Sequence, residues 1–382
     1  MIAVHSTVTL VTLMGKGYPV ARVDGWLYLA LHVGWCGVDL FFVLSGFLIT
    51  GILLRAKGRP GYYTSFYARR ALRIMPLYYA VLLGRVALAY LPAPWLALNP
   101  AEALAHALYV GNFWQCYARA VGTPFDAAGL TVCWSLAIEE QFYLAWPLVV
   151  ANTSRRWLAR ICAAGVVVAV GSRVALVAAH ADHWLSYALT PCRVDALCLG
   201  ALVALAAESG TPWPVLARRA RLVLGLGLAA VAWVWVRNFG PFCHGRAMAA
   251  VGYTCFAAVF AAALCLILAA QPAGWRGLRL RPLRVLGAHS YAIYLVHYPV
   301  IVLGFLLFRS DTATDALVPV ARSVGFCGPL YVAYYGFVIG TCLVLAKVSW
   351  VLIERPCLRL KRHFPMGTPA DAPPGRARDA VQ

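Results

Sequence analysis

Residues 37–76 read GVDLFFVLSGFLITGILLRAKGRPGYYTSFYARRALRIMP, and a boundary inside this stretch decides the fold. From Gly37 to Leu54 the only ionisable side chain is Asp39. A run of that length and apolarity meets what a helix needs to cross a hydrocarbon layer. Arg55, Lys57, Arg59, Arg69, Arg70 and Arg73 follow at once. Basic residues beside a span stay in the cytoplasm, so the stretch reads as a membrane exit onto the cytoplasmic face.

Composition extends this reading to the whole chain. Of 382 residues, 62% are hydrophobic and 12% charged, whereas soluble domains carry roughly 25% charged residues. The formal charge of +19 does not signal nucleic acid, because the arginines lie in short clusters between apolar runs rather than on a solvated basic face. Twelve cysteines are scattered without a CxxC pair, so neither a zinc site nor a disulfide framework is indicated.

Residues 1–14 are apolar but short of the roughly 20 that a spanning helix needs. They have no charged leader or cleavage site, so a first span whose beginning lies upstream is expected rather than a signal peptide. Trp26–Trp35 reads as an interfacial or re-entrant lead-in after a turn-rich link over 15–25. Spans are expected at 37–54, 76–91, 131–150, 161–179, 189–207, 222–236, 245–270, 285–308 and 322–346, with 92–130 an outer segment in which Ala103–Trp114 lies on or dips into the surface. The fold class is therefore all-α: a polytopic membrane protein of about ten transmembrane helices, both termini cytoplasmic. Twenty Lys and Arg residues near span ends fall on the cytoplasmic side and five on the other, all counted on that topology. Residues 1–356 form the membrane-embedded domain, and 357–382 a basic, disordered cytoplasmic tail.

Ionisable groups inside the membrane cost roughly a few kcal/mol each and are kept with a partner or a task. Five places qualify. In FYARRALRIMP, Arg70 and Arg73 share one helical face at the inner mouth of the third span, as phosphate forks or as topology anchors. His5 is a lone histidine in a thin first span, either a packing residue or a base. In WSLAIEEQFYLAWP, Glu139 and Glu140 point about 100° apart, so at most one faces a given cavity. Arg193 and Asp195 are close enough in sequence to neutralise each other as a structural ion pair. In HSYAIYLVHYP, His297 lies near mid-membrane with Tyr294 three residues before it.

Taken together, GVDLFFVLSGFLIT, FYARRALRIMP, WSLAIEEQFYLAWP, RVDALCLG, SYAIYLVHYP and WVLIERP resemble the successive signature blocks of the acyltransferase 3 family. All six occur in the family's order, between residues 37 and 356. The resemblance implies an integral-membrane O-acyltransferase, of the bacterial inner membrane, that moves an acyl group, most often acetyl, from acyl-CoA to a hydroxyl of a carbohydrate or lipid-linked glycan. It carries the catalytic first-span histidine onto His5, the acyl-CoA-binding arginines onto Arg70 and Arg73, and the acidic residue onto Glu139 or Glu140. The family's arginine about ten residues before that histidine has no counterpart here, and His32 is a weaker candidate for the histidine role.

These residue types suit acyl transfer. A hydroxyl becomes nucleophilic when a base removes its proton, and a thioester carbonyl gains negative charge as it is attacked. His5 would supply the base or carry the acyl group, the arginines would hold the phosphates of CoA, and Arg193, Asp195, Tyr294 and His297 would support the acceptor side. Trp95, Trp114 and Trp184 offer flat faces for sugar rings. No metal and no resident cofactor are expected; acyl-CoA is a co-substrate. The rival is a ten-span transporter or glycolipid flippase, which inverted repeats would favour, and the two halves of the chain do not resemble each other.

Overall fold

The computed structural model describes residues 22–92, 96–123, 129–238, 244–270, 280–308 and 310–365. Among them there are helices and no strand. The helices are α1 (Arg22–His32), α2 (Gly37–Ala56), α3 (Tyr62–Leu88), α4 (Pro100–Ala107), α5 (Gly111–Ala120), α6 (Trp134–Asn152), α7 (Arg155–Ala178), α8 (His183–Ala188), α9 (Val194–Ala207), α10 (Trp213–Arg237), α11 (Tyr253–Ala269), α12 (Arg281–Phe308), α13 (Asp311–Val324), α14 (Gly328–Ser349) and α15 (Arg355–Arg359). Among the described residues, seven helical runs are long and apolar enough to cross a membrane. The chain is a polytopic all-α membrane protein. The expected first span at 1–14, and His5 with it, lies outside the described residues.

The centre of the fold is the parallel pair of α2 and α9, joined at three levels. At one end Arg193 donates to Asp39 across 2.7 Å. Seven residues along each chain, Gly46 and Gly200 let the backbones touch: a Cβ at Gly46 would stand 2.0 Å from the Leu197 carbonyl oxygen, and one at Gly200 2.0 Å from that of Val43. At the other end Arg55 meets Glu208 at 2.9 Å. Small residues are what allow membrane helices to approach this closely. α9 has only 14 residues, about 21 Å of rise, and sits enclosed, with Ala196, Leu197, Ala201 and Ala204 at most 1% exposed.

α6 also runs alongside α2. Ser45 meets Glu139, Trp146 Nε1 donates to Thr50 Oγ1 at 2.8 Å, and Lys57 Nζ donates to the carbonyls of Val150 (2.8 Å) and Thr153 (2.6 Å) at its end. Those last two bonds satisfy carbonyls that a helix end leaves unpaired.

The structure revises four expectations. Trp26–Trp35 is no separate lead-in: it lies in α1 and the 3-10 turn that joins it to α2, a continuous apolar run from Val23 to Ala56. α3 begins at Tyr62 rather than at Pro76, after a tight turn in which Gly58 (φ 78°) and Gly61 (φ 72°) take up left-handed backbone. Pro76 is inside the helix, where membrane helices tolerate proline, so the basic block lies within α3 and not before it.

The outer segment 92–130 contains a helical hairpin, α4 and α5, that dips back into the bundle. Asn99 caps α4 by accepting from the Ala101 N–H, with Pro100 at the first position. The turn is sharp: Tyr109 has φ 56°, and a Cβ on Gly111 would come within 2.5 Å of the His106 ring. Glu102 and His106, one helical turn apart and 4.0 Å from each other, are both 1% exposed. Finally, the chain does not lose structure at 357. Arg355–Arg359 and a further turn at Leu360–His363 pack against α3, while 366–382 lie outside the described residues.

Candidate active site

α3 and α6 run antiparallel and are stitched in steps. Tyr62 donates to the Pro147 carbonyl (3.1 Å) and Tyr67 to that of Leu144 (2.8 Å). At the next level the Arg70 guanidinium lies over the Tyr143 ring, 5.5 Å from its centre. Above it comes the hairpin tip, where Tyr109 stacks on Tyr78 at 4.5 Å and its carbonyl accepts from Gln141 Nε2 at 2.8 Å. A cavity of about 410 Å³ remains between α3, α6 and this tip, with Arg70, Glu140, Tyr109, Tyr143 and Gln141 on its walls. Leu108 and Leu144 on its rim are 64% and 69% exposed, so it opens sideways towards lipid.

The helical offset between the two glutamates separates them as expected. Glu139, 2% exposed, points at α2: Ser45 Oγ donates to its Oε1 at 2.6 Å, and the same hydroxyl is 2.9 Å from Tyr143 Oη. Glu140 points into the cavity, and its buried Oε1 has no hydrogen-bond partner among the described residues. Arg70 feels the charge of both. A guanidinium and a carboxylate thus face one apolar-walled space partway across the bundle, where one can stabilise a developing oxyanion and the other exchange a proton.

Comparison with known proteins places the whole chain. A family model described as an acyltransferase domain matches residues 1–346. The chain belongs to the acyltransferase 3 family. It is 31% identical to the putative peptidoglycan O-acetyltransferase YrhL of Bacillus subtilis, over 85% of this chain and 50% of that protein. It is 31% identical to the peptidoglycan O-acetyltransferase OatA of Listeria monocytogenes (71% and 45%) and 28% identical to the O-acetyltransferase OatA of Staphylococcus aureus (85% and 53%). The chain spans about half the length of these curated relatives. No solved structure matches it. With its apolar helices and bacterial relatives, this acyltransferase 3 protein is an integral protein of the bacterial plasma membrane.

The other residues singled out in the sequence fall elsewhere. Arg73 is on α3 but outside the cavity wall. Arg193 and Asp195 do not pair with each other. Arg193 pairs with Asp39, and Asp195 accepts from Arg173 Nη1 at 3.0 Å and from the Thr254 hydroxyl. The reason is geometric: Arg193 precedes α9, so its side chain turns back towards α2, within 4.3 Å of the Tyr253 ring centre, while Asp195 in the first turn faces α7.

Tyr294 and His297 are not in the cavity either. His297 is fully buried, and its Nδ1 donates to the Tyr294 carbonyl at 2.6 Å. Tyr294 Oη meets Ser135 Oγ at 2.8 Å and donates to the Val132 carbonyl, tying α12 to the start of α6. His32 ends α1, stacked on Tyr28 at 5.3 Å.

Sequence reading missed Ser45, Tyr143, Asp39 and Arg173. Arg173 and Asp39 were detectable as lone charges inside spans that must have partners; for Ser45 no signal in the single sequence set it apart from a packing serine.

Proposed function

We propose that this protein is a membrane O-acyltransferase that moves an acyl group, acetyl in the first instance, from acyl-CoA to a hydroxyl of a carbohydrate or lipid-linked glycan. The observation that carries the reading is the cavity in which Arg70, from the RxxR block, faces Glu140, from the WSL block. Its lipid-side opening suits an acceptor held in the bilayer. The names of the relatives point to O-acetylation and, for YrhL and the Listeria OatA, to peptidoglycan.

In this reading ten spans place both termini in the cytoplasm, with the RxxR end of α3 facing the donor. The hydroxyl oxygen attacks the thioester carbonyl as His5 takes its proton. Arg70 steadies the charge that develops on the carbonyl oxygen, and Glu140 exchanges the proton with the histidine or the acceptor. The C–S bond breaks and CoA leaves as the thiol once reprotonated. The rival reading, a transporter or flippase, finds no support among the relatives.

The test is to incubate purified protein in detergent with acetyl-CoA and soluble glycan fragments, following free thiol and the acetylated product by mass. Acceptor-dependent thiol release is expected. Its absence, together with movement of a labelled lipid-linked glycan across vesicles containing the protein, would overturn the reading in favour of the flippase.

A further inference from the structure

Two cations, Arg73 on α3 and Lys361 packed beside it, stand out because nothing among the described residues neutralises them. Arg73 and Lys361 are half-buried, and among the described residues neither side chain has a hydrogen-bond or carboxylate partner. They are also neighbours: the charge of Arg73, followed by those of Arg70 and Arg69, bears on the Lys361 ammonium. Half-buried like charges repel one another in a medium less polar than water, so such a cluster is costly unless an anion enters it.

The fold takes trouble to assemble this cluster. Lys361 lies almost three hundred residues from Arg73 in sequence and is brought back by the turn that follows α15. Arg69 Nη1 donates to the Phe364 carbonyl at 3.1 Å and reaches that of Lys361 at 3.5 Å, while Ser65 Oγ donates to the Pro365 carbonyl at 2.9 Å. Arg69 is thus the tie that holds the segment down, leaving Arg73 and Lys361 open. Glu354, the residue before α15, is 3% exposed and accepts from Ser349, so its carboxylate is already engaged. A wider inner hollow of about 600 Å³ beside Lys57 offers no equivalent, because the Lys57 ammonium is already bonded to the Val150 and Thr153 carbonyls.

We infer that Arg73 and Lys361 together form a seat for phosphate groups, and that the segment Arg355–Pro365 completes the donor site by folding back onto α3. The inference rests on the acyl-CoA reading above, which supplies the ligand class: the nucleotide phosphates of a coenzyme A thioester. A planar guanidinium fork and a mobile ammonium suit a phosphate better than either does alone. Arg70 then lies between the two functions, adjoining the phosphate seat on one side and lining the Glu140 cavity on the other.

The experiment compares two donors with the same thioester, acetyl-CoA and S-acetylpantetheine, which carries no phosphate. In Lys361→Gln the KM for acetyl-CoA should rise about tenfold or more relative to that for S-acetylpantetheine, the scale of one charged hydrogen bond. Lys361→Arg should restore most of the loss. A rise shared by both donors would show a structural role only, and no rise at all would remove Lys361 from the site; either overturns the inference. A second arm measures thermal stabilisation by adenosine 3′,5′-bisphosphate, expected in wild type and weakened in Lys361→Gln and Arg73→Gln. Wild type that turns over neither donor yet shows this Lys361-dependent stabilisation would keep the phosphate seat and sink the acyl-transfer reading. Absence of stabilisation in wild type would sink the seat.

Discussion

Arg193 donates to Asp39 across 2.7 Å and leaves Asp195, two residues along its own chain, to Arg173. The two crossed pairs bind α9 to α2 on one side and to α7 on the other, and all four side chains are at most 1% exposed. Breaking a buried pair leaves an uncompensated charge, which costs about 3–5 kcal/mol, whereas replacing both partners by apolar groups is often near neutral. Asp39→Ala should therefore lower the unfolding temperature in detergent far more than the double variant Asp39→Leu, Arg193→Met. Equal losses in the two proteins would mean that the pair does not act as a coupled unit.

The Gly46–Leu197 contact allows a second test of the same interface. A methyl group at Gly46 would lie 2.0 Å from a backbone carbonyl that no side-chain rotation can move, so α2 and α9 must separate. Overpacking of this kind costs about 1–3 kcal/mol. Gly46→Ala should destabilise the protein by at least that much in a denaturant titration. Gly84→Ala, with nothing within 4 Å of its new Cβ, should be close to neutral and serves as the control.

Much of this bundle could be read from the chain because lipid imposes simple rules. The apolar run after Gly37 marks a span without any knowledge of neighbours. The hairpin of α4 and α5 was legible only as a surface dip over Ala103–Trp114, because its buried Glu102 and His106 break the apolar pattern that identifies membrane-embedded helices. The Arg193–Asp195 assignment failed because proximity in sequence is not proximity in space: Arg193 precedes the helix and Asp195 lies in its first turn, so they diverge, and parallel packing of α2 on α9 brings Asp39 closer. Lys361 was hidden for a related reason, since a short basic stretch after the final span looks disordered until a surface that receives it is known. The block order from Gly37 to Pro356 pointed to the family, and the different surroundings of Glu139 and Glu140 needed the positions of Ser45 and Arg70.

Arg70 and Arg73 should respond differently to lysine. Arg70 lines the cavity and lies over Tyr143, where a planar guanidinium stacks and an ammonium does not. Arg70→Lys is expected to lower kcat, with any change in KM secondary. Arg73, outside the cavity, is expected to raise the KM for acetyl-CoA when changed to Lys, with kcat largely kept. Normal kinetics in both well-folded variants would reduce the pair to topology anchors.

The three histidines can be separated by activity per folded molecule. His5→Ala should lose about 10²- to 10⁴-fold in turnover, the usual contribution of a placed base, with normal expression. His297 is fully buried with its Nδ1 bonded to the Tyr294 carbonyl, so His297→Ala should lower stability while molecules that remain folded stay active. His32, stacked on Tyr28 at the end of α1, should have a mild effect on turnover. If turnover falls in His32→Ala alone, the catalytic base belongs there.

Glu139 and Glu140 provide the sharpest test, because adjacent carboxylates on one helix are given opposite work. Glu139 is enclosed and accepts a 2.6 Å hydrogen bond from Ser45, whose hydroxyl also meets Tyr143, so it holds α6 to α2 and steadies the ring beneath Arg70. Glu139→Gln keeps the shape and most of the bonding. It should cost stability, which Ser45→Ala in the same background should not deepen by the full amount of Ser45→Ala alone, since contacting partners are not additive. Glu140 has a buried oxygen without a hydrogen-bond partner among the described residues and faces the cavity, so Glu140→Gln should leave the unfolding temperature near normal while turnover falls by about 10²- to 10⁴-fold. Glu140→Asp, which keeps the acid but withdraws it by one methylene, should recover part of that loss. The assignment is wrong if Glu139→Gln abolishes turnover at full stability while Glu140→Gln remains active, because the proton-exchanging carboxylate would then be the one bonded to Ser45.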